Sequence, residues 1–167
     1  VSTVNPRLAL VWQTRYDLTT KFLYGRAFRA PSFSELFTIN NPIRVGNPSL
    51  GPETINTYEL AFDYNPTFNI HTSINLFRYN IKDLILAVPD ASGTTFTFQN
   101  SGAQDGQGME WEMDWQIARD LKATANYAFQ LSENKNTHSD AGNAPHHQVY
   151  ARVQWNFLPE WSLVRQM

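Results

Sequence analysis

The sequence predicts an all-β chain, a run of antiparallel, up-and-down strands forming a segment of a transmembrane β-barrel. Apolar and polar residues alternate with period two in strand after strand. Connections alternate between tight and long, as they do between the two ends of an outer-membrane barrel. Composition agrees: aromatics are 14% of 167 residues and charged residues 17%, below the usual quarter, yet mean hydropathy is −0.42. Strands that are apolar on one face and polar on the other reconcile these values. No window offers the roughly 18 consecutive apolar residues of a transmembrane helix, so strands are the route left for crossing a membrane.

The first strand sets Leu8, Leu10 and Trp12 against Arg7, Gln13, Arg15 and Asp17, which share their face with Ala9 and Val11. After a short turn at 16–18, a second strand loses phase around Gly25, where a β-bulge is expected. Residues 30–54 contain Pro31, Pro42, Pro48 and Pro52 and are expected to form a structured loop, since proline cannot donate to a ladder. The returning strand opposes Tyr58, Leu60, Phe62 and Tyr64 to Thr57, Glu59, Ala61 and Asp63. Beyond a turn at 64–67, Ile70, Ile74 and Leu76 hold one parity while Phe77, Tyr79 and Ile81 hold the other. A bulge near Leu76-Phe77 would bring both sets onto one face.

A long loop is expected at 87–94. The clearest alternation follows, with Met109, Trp111, Met113, Trp115 and Ile117 against Glu110, Glu112, Asp114 and Gln116. A turn at 118–121 leads to Leu121, Ala123, Ala125, Tyr127, Phe129 and Leu131 opposing Lys122, Thr124, Asn126, Gln130 and Ser132. After a loop at 133–145, Val149, Ala151, Val153, Trp155 and Phe157 oppose Gln148, Arg152, Gln154 and Asn156, and a turn falls at 158–161. The result is about seven full strands and the start of an eighth. Closure of a barrel from these strands alone would need a severely shortened last strand, so residues 1–167 read as one partial barrel cut from a larger wall.

Net charge is −2 and no basic stripe is visible, which argues against a nucleic-acid partner. There is no cysteine, excluding disulfide scaffolds and zinc–thiolate sites. Val1-Ser2-Thr3-Val4 has neither the basic start nor the apolar core of a secretory leader, so a leader was removed or the true N-terminus lies elsewhere.

Several ordered motifs carry a family resemblance. The stretch Tyr24-Gly25-Arg26-Ala27-Phe28-Arg29-Ala30-Pro31-Ser32 with Glu35-Leu36-Phe37, then Gly46-Asn47-Pro48-Ser49-Leu50 and Pro52-Glu53, then Tyr58-Glu59-Leu60, resembles the barrel of TonB-dependent outer-membrane receptors. Ala61 stands where many members have glycine. Phe77-Arg78-Tyr79-Asn80-Ile81-Lys82-Asp83-Leu84-Ile85 and Asn100-Ser101-Gly102-Ala103 with Gly108 and Glu110 resemble the following strands. The resemblance implies an outer-membrane barrel of roughly 22 strands with a plug in its lumen. It further implies import of a scarce nutrient, by default a ferric siderophore with cobalamin and haem behind it, driven by the TonB complex acting through the plug. The 167 residues contain no recognisable plug or TonB box and supply about a third of such a wall.

Under this resemblance, Glu59 and Glu110 on the polar faces meet arginines of the plug; the plainer reading is solvated lumen acids. Arg26 and Arg29 either line the upper lumen, where they attract an anionic chelate, or complete the hydrogen bonding of the strand-to-loop motif. Phe33, Phe37 and Arg44 lie in the long loop, where ligand contacts are commonly carried, or simply pack that loop. His138, His146 and His147 match no tight metal spacing, and no cofactor or metal is expected. The outward tryptophans Trp12, Trp111, Trp115, Trp155 and Trp161 read as an interfacial girdle in contact with outer-membrane lipid. Two other classes compete with the transporter: a small complete barrel acting as a passive pore or adhesin, and a barrel hydrolase using Ser139, Asp140 and His146 or His147. The hydrolase lacks a rigid scaffold and an oxyanion hole, so the protein is read as no enzyme.

Overall fold

The computed structural model describes residues 3–91, 93–142, 144–158 and 160–167. Val1 and Ser2 of the leader reading lie outside them, as do Ser92, Asn143 and Pro159 within three of the expected connections. Eight long strands form one antiparallel meander: β1 (Arg7–Arg15), β2 (Leu18–Arg29), β4 (Glu53–Thr67), β5 (Ile70–Pro89), β6 (Phe96–Ala118), β7 (Leu121–Asn134), β9 (His147–Leu158) and β10 (Trp161–Gln166). Two short strands sit in the long connections: β3 (Arg44–Val45) pairs parallel with Phe96–Thr97 of β6, and β8 (Ser139–Asp140) pairs with the end of β7. Among the described residues a single helix, α1 (Phe33–Phe37), follows β2. The sheet is open, with β1 and β10 at its two ends, so these strands do not form a small closed barrel.

Register sorts the side chains onto two faces. Leu10, Phe22, Leu60, Leu76, Met109 and Phe129 are successive cross-strand partners, and so are Trp12, Thr20, Phe62, Ile74, Trp111 and Tyr127. These rows make an apolar outer face on which Leu10, Trp12 and Trp155 stand about half to two-thirds exposed, as suits a surface solvated by lipid chains. The opposite, lumen face carries Lys21, Glu59, Asp63, Ser73, Asn75, Glu110, Glu112 and Asp114. A sheet with lipid on one side and lumen on the other has no ordinary core, and the buried apolar residues among those described are Leu50 and Ile85.

Two expected bulges are absent. The β2–β4 ladder runs unbroken from Leu18↔Tyr64 to Arg29↔Glu53, so Gly25 causes no slip. No slip occurs at Leu76-Phe77 either; the β5–β6 register instead shifts between Ile81 and Ile85, beside Asp83 at φ 59°. The aromatics of opposite parity therefore face the lumen. Phe77 lies opposite Gly108 and Tyr79 opposite Gly106, and each ring covers the glycine so closely that a Cβ there would fall 2.5 Å and 2.2 Å from it. Glycine on one strand makes the room that lets an aromatic ring lie flat on the next.

The long loop expected at 87–94 is also shorter. β5 continues through Pro89, and Asp90 closes the connection by accepting from the hydroxyls of Thr95 (2.6 Å) and Thr97 (2.7 Å). Pro89 is tolerated because it is the terminal pair of the ladder, opposite Phe96, where a missing donor matters least.

Candidate functional site

The upper end of the wall is organised around Arg29, the last residue of β2. Its Nε and Nη2 donate to Glu53 at 2.6 Å each, while Nη1 and Nη2 donate to Glu35 at 3.0 and 3.1 Å. Forked guanidinium–carboxylate pairing fixes direction as well as distance. Glu35 also closes a capping box on α1: Ser32 Oγ accepts from the Glu35 amide and the Ser32 amide donates to Glu35 Oε2. The Arg29 guanidinium first, with the Ser32 amide and hydroxyl, holds the Glu35 carboxyl down to about 2 from its ordinary 4.5. Glu53 in turn accepts from the Ile85 amide at 2.8 Å, so one cluster ties β2, α1, β4 and β5 together.

The rest of the loop is pinned to the wall by two asparagines. Asn47 Nδ2 donates to the Phe98 carbonyl (2.9 Å), and Asn100 both accepts from the Gly51 amide (2.8 Å) and donates to the Gly51 and Asp83 carbonyls. Gly46 passes so close to α1 that a Cβ would lie 2.5 Å from the Thr38 amide nitrogen. The motif residues of the sequence are thus mostly loop fasteners. The sequence weighs ligand contact and plug contact against packing and hydrogen bonding of the motif itself, and it singles out none of Glu35, Glu53, Asn47 or Asn100 as a site residue. The capping-box spacing of Ser32 and Glu35 was the available signal.

Each expected site residue has a clear position. Arg29 is on the lumen side with its donors committed to the clamp. Arg26 is not beside it: its partner is Asn56, so it shares the outer face with Tyr24 and Tyr58, which corrects its expected place in the upper lumen. Three residues apart on an unbroken strand, two side chains point to opposite faces. Phe33 and Phe37 are exposed on α1 with ring centroids 4.9 Å apart, and Arg44 lies exposed in β3, its amide bonded to Asn41 Oδ1 at 2.9 Å.

Glu59 and Glu110 face the lumen on either side of Asn75. Asn75 lies opposite Glu110 in register and donates to Glu59 Oε2 at 3.2 Å. Nearer the tight-turn end, lumen charges are paired: Lys21 with Asp63, and Lys122 with Asp114, which also accepts from Thr124. Glu59, Glu110 and Glu112 have no cationic partner among the described residues.

The histidine loop assembles no triad. His146 Nε2 is hydrogen-bonded to Asp140, but Ser139 Oγ is engaged with Thr137 Oγ1 at 2.7 Å. His138 pairs with Glu133, and His147 packs on Tyr127 and Phe129 of the outer face. Among the described residues no group of three or more His, Cys, Asp or Glu side chains is placed to hold a metal ion.

The sequence matches the family model described as TonB dependent receptor-like, beta-barrel, over residues 1–166. The chain belongs to the TonB-dependent receptor barrel family. That family consists of receptors and transporters of the bacterial outer membrane, and the chain is a wall segment in that membrane. Its curated relatives include the heme/hemopexin utilization protein C of Haemophilus influenzae, 30% identical over 84% of this chain and 23% of the relative. The iron-regulated outer membrane virulence protein of Vibrio cholerae is 26% identical over 90% of this chain and 26% of the relative. The chain therefore spans about a quarter of the length of the curated relatives it matches. Among solved structures, a mutant ferric enterobactin receptor of Pseudomonas aeruginosa bound to enterobactin aligns with TM-score 0.83 and 22% identity, over 97% of this chain and 27% of that one. The copper transporter OprC aligns with TM-score 0.77 and 16% identity, over 96% and 25%. At these identities the two likenesses show the fold alone.

Proposed function

We infer that the chain contributes part of the wall and its external loops to an outer-membrane active transporter that imports an iron chelate, by first choice a ferric siderophore, with energy delivered by the TonB complex through a plug in the lumen. The observation that carries this reading is the unpaired acid row. Lumen carboxylates near the tight-turn end have cations of their own, whereas Glu59, Glu110 and Glu112 have none among the described residues. Like charges grouped this way are stabilised by an incoming cationic surface, and a plug bearing arginines is such a surface. A passive pore needs no counter-surface. The names of the haem and iron-regulated relatives support iron as the cargo class, and the clamped loop with exposed Phe33, Phe37 and Arg44 offers an aromatic and cationic rim for an anionic, ring-bearing ligand.

The test uses the full receptor in cells deleted for it. Uptake of radiolabelled iron from a panel of ferric siderophores, and growth on haem as iron source, identify the cargo. E59Q/E110Q is expected to lower energy-dependent uptake at least several-fold while surface binding of the same chelate persists. Uptake that persists without TonB, or that no iron source elicits, would sink the proposal.

A further inference from the structure

Four glycines lie in the described strands, and three of them have their space taken. A Cβ on Gly102 would meet Leu84 at 2.7 Å, on Gly106 the Tyr79 ring at 2.2 Å, and on Gly108 the Phe129 carbonyl oxygen at 2.3 Å. Gly25 of β2 is the exception, with nothing within 4 Å. It pairs with Arg7 of β1 and Thr57 of β4 and causes no slip in either ladder. Nor does it occupy the left-handed backbone region, as Gly93 and Gly142 do. A glycine inside a strand weakens it. Where neither a bulge nor a bend explains the residue, it marks close approach by a ligand or another chain.

The empty space is a recess of about 480 Å³ on the lumen face. Its floor is apolar, with Ala9, Leu23, Ala27 and Ile55 around the bare backbone of Gly25, although a barrel lumen is ordinarily polar. Arg7 flanks it on β1 and Glu59 on β4. Arg7 is exposed and makes no side-chain hydrogen bond or ion pair among the described residues. Gly25 stands four residues below Arg29 in β2, about 13 Å along the strand. The recess therefore lies between the clamped loop at the mouth and the acid row.

We propose that this recess is a transit site, where an anionic, ring-bearing chelate rests after leaving the mouth and before it passes the plug. Two observations choose that occupant. The volume is that of small-molecule sites, roughly 300–1,000 Å³, and exceeds what one inserted side chain fills. Charge then decides the sign. Glu59 is taken by a plug cation in the transport reading, on which this inference rests, so the charge left without a partner is Arg7. A guanidinium at the rim holds carboxylate or phenolate oxygens through its forked donors, while ring edges lie against the glycine and its apolar neighbours. A side chain at position 25 would stand in that path.

The experiment uses the full receptor in cells deleted for it, supplied with radiolabelled iron on the panel of ferric siderophores. Surface binding is measured on de-energised cells, folding by heat-modifiable migration, and seating of the plug by exclusion of vancomycin. Across G25A, G25V and G25L, energised uptake should fall as the side chain grows, by about tenfold in G25L, equivalent to ~1.4 kcal/mol. Surface binding, migration and vancomycin exclusion should stay at wild type. R7Q should lower uptake several-fold with the same binding, and R7K should keep most of it. Wild-type uptake in G25L, or a loss of surface binding as large as the loss of uptake, would overturn the proposal. Vancomycin entry in G25L would mean that the plug fills the recess, which overturns it equally. If G25L does not reach the heat-modifiable form, R7Q decides alone, and unchanged uptake in R7Q overturns the proposal. Failure of the wild type to take up iron from any chelate sinks the transport reading and this site together, whereas normal uptake in G25L and R7Q sinks the site alone.

Discussion

Arg29 and Glu53 are direct cross-strand partners whose guanidinium and carboxylate meet in a two-point pairing, both contacts at 2.6 Å. The same guanidinium holds Glu35 at the start of α1, so the loop is bolted to the wall by a single arginine between two carboxylates. Replacing Arg29 with Ala leaves two mostly buried carboxylates facing each other. The expected cost is about 1–3 kcal/mol of local loop stability, reduced somewhat because the Arg29 side chain is half-exposed. In the full receptor, limited proteolysis of residues 30–52 should accelerate in R29A. R29K should recover little of it, because an ammonium cannot span both carboxylates.

Acid should loosen the same loop in a defined window. The folded Glu35 pKa of about 2 lies below the ordinary 4.5, so its contribution is fully present above pH about 4.5 and is lost as pH falls toward 2. A nitroxide on I39C, at an exposed position beside α1, is expected to show constant mobility between neutral pH and about 5 and rising mobility below about 4. E35Q should be mobile already at neutral pH and respond much less to acid.

Strand order, tight turns and the outer face were legible in the sequence because lipid selects apolar side chains along a strict two-residue period. Hydrophobicity fails as a guide to facing where a lumen holds rings. Phe77 and Tyr79 read as outward residues displaced by a bulge, but Gly108 and Gly106 across the ladder accept them on the polar side. Nothing local to Phe77 encodes that, since its partner is 31 positions away in sequence. Arg26 poses a related difficulty: with phase in doubt at Gly25, its parity cannot be assigned from the sequence. The loop motifs were recognisable as a pattern, whereas their mechanical role, Asn100 gripping Gly51 or Glu53 capping the Ile85 amide, depends on contacts more than 30 residues apart.

Two glycines of similar appearance should respond differently to alanine. At Gly108 a methyl would lie 2.3 Å from the Phe129 carbonyl oxygen, a backbone atom of the neighbouring strand, and against the Phe77 ring. At Gly25 nothing lies within 4 Å. G108A is expected to destabilise the barrel by about 1–3 kcal/mol through overpacking, and G25A by less than about 0.5 kcal/mol. The temperature at which the full receptor loses heat-modifiable migration on gels distinguishes them, falling for G108A and staying near wild type for G25A.

The wall's scarcity of buried apolar residues gives Leu50 unusual weight. Leu50 and Ile85 are 7% and 8% exposed, whereas Leu60 in the lipid-facing band is 37% exposed without lipid. Leu50 is also where the loop, turned by the bond from its amide to the Asn47 carbonyl, returns to β5 and β6. L50A therefore removes the apolar part of an attachment whose polar part is Asn47, Asn100 and the Arg29 clamp. The expected loss is about 2–4 kcal/mol, set by the buried methyls and the cavity they leave. It should fall on the loop rather than on the strands, whose ladders do not pass through Leu50. Hydrogen exchange in the full receptor checks this. L50A should deprotect the amides of Leu36, Gly46 and Gly51 while those of β6 and β7 below Met109 keep wild-type protection. Uniform deprotection of both regions would mean that the loop and the wall unfold as one unit.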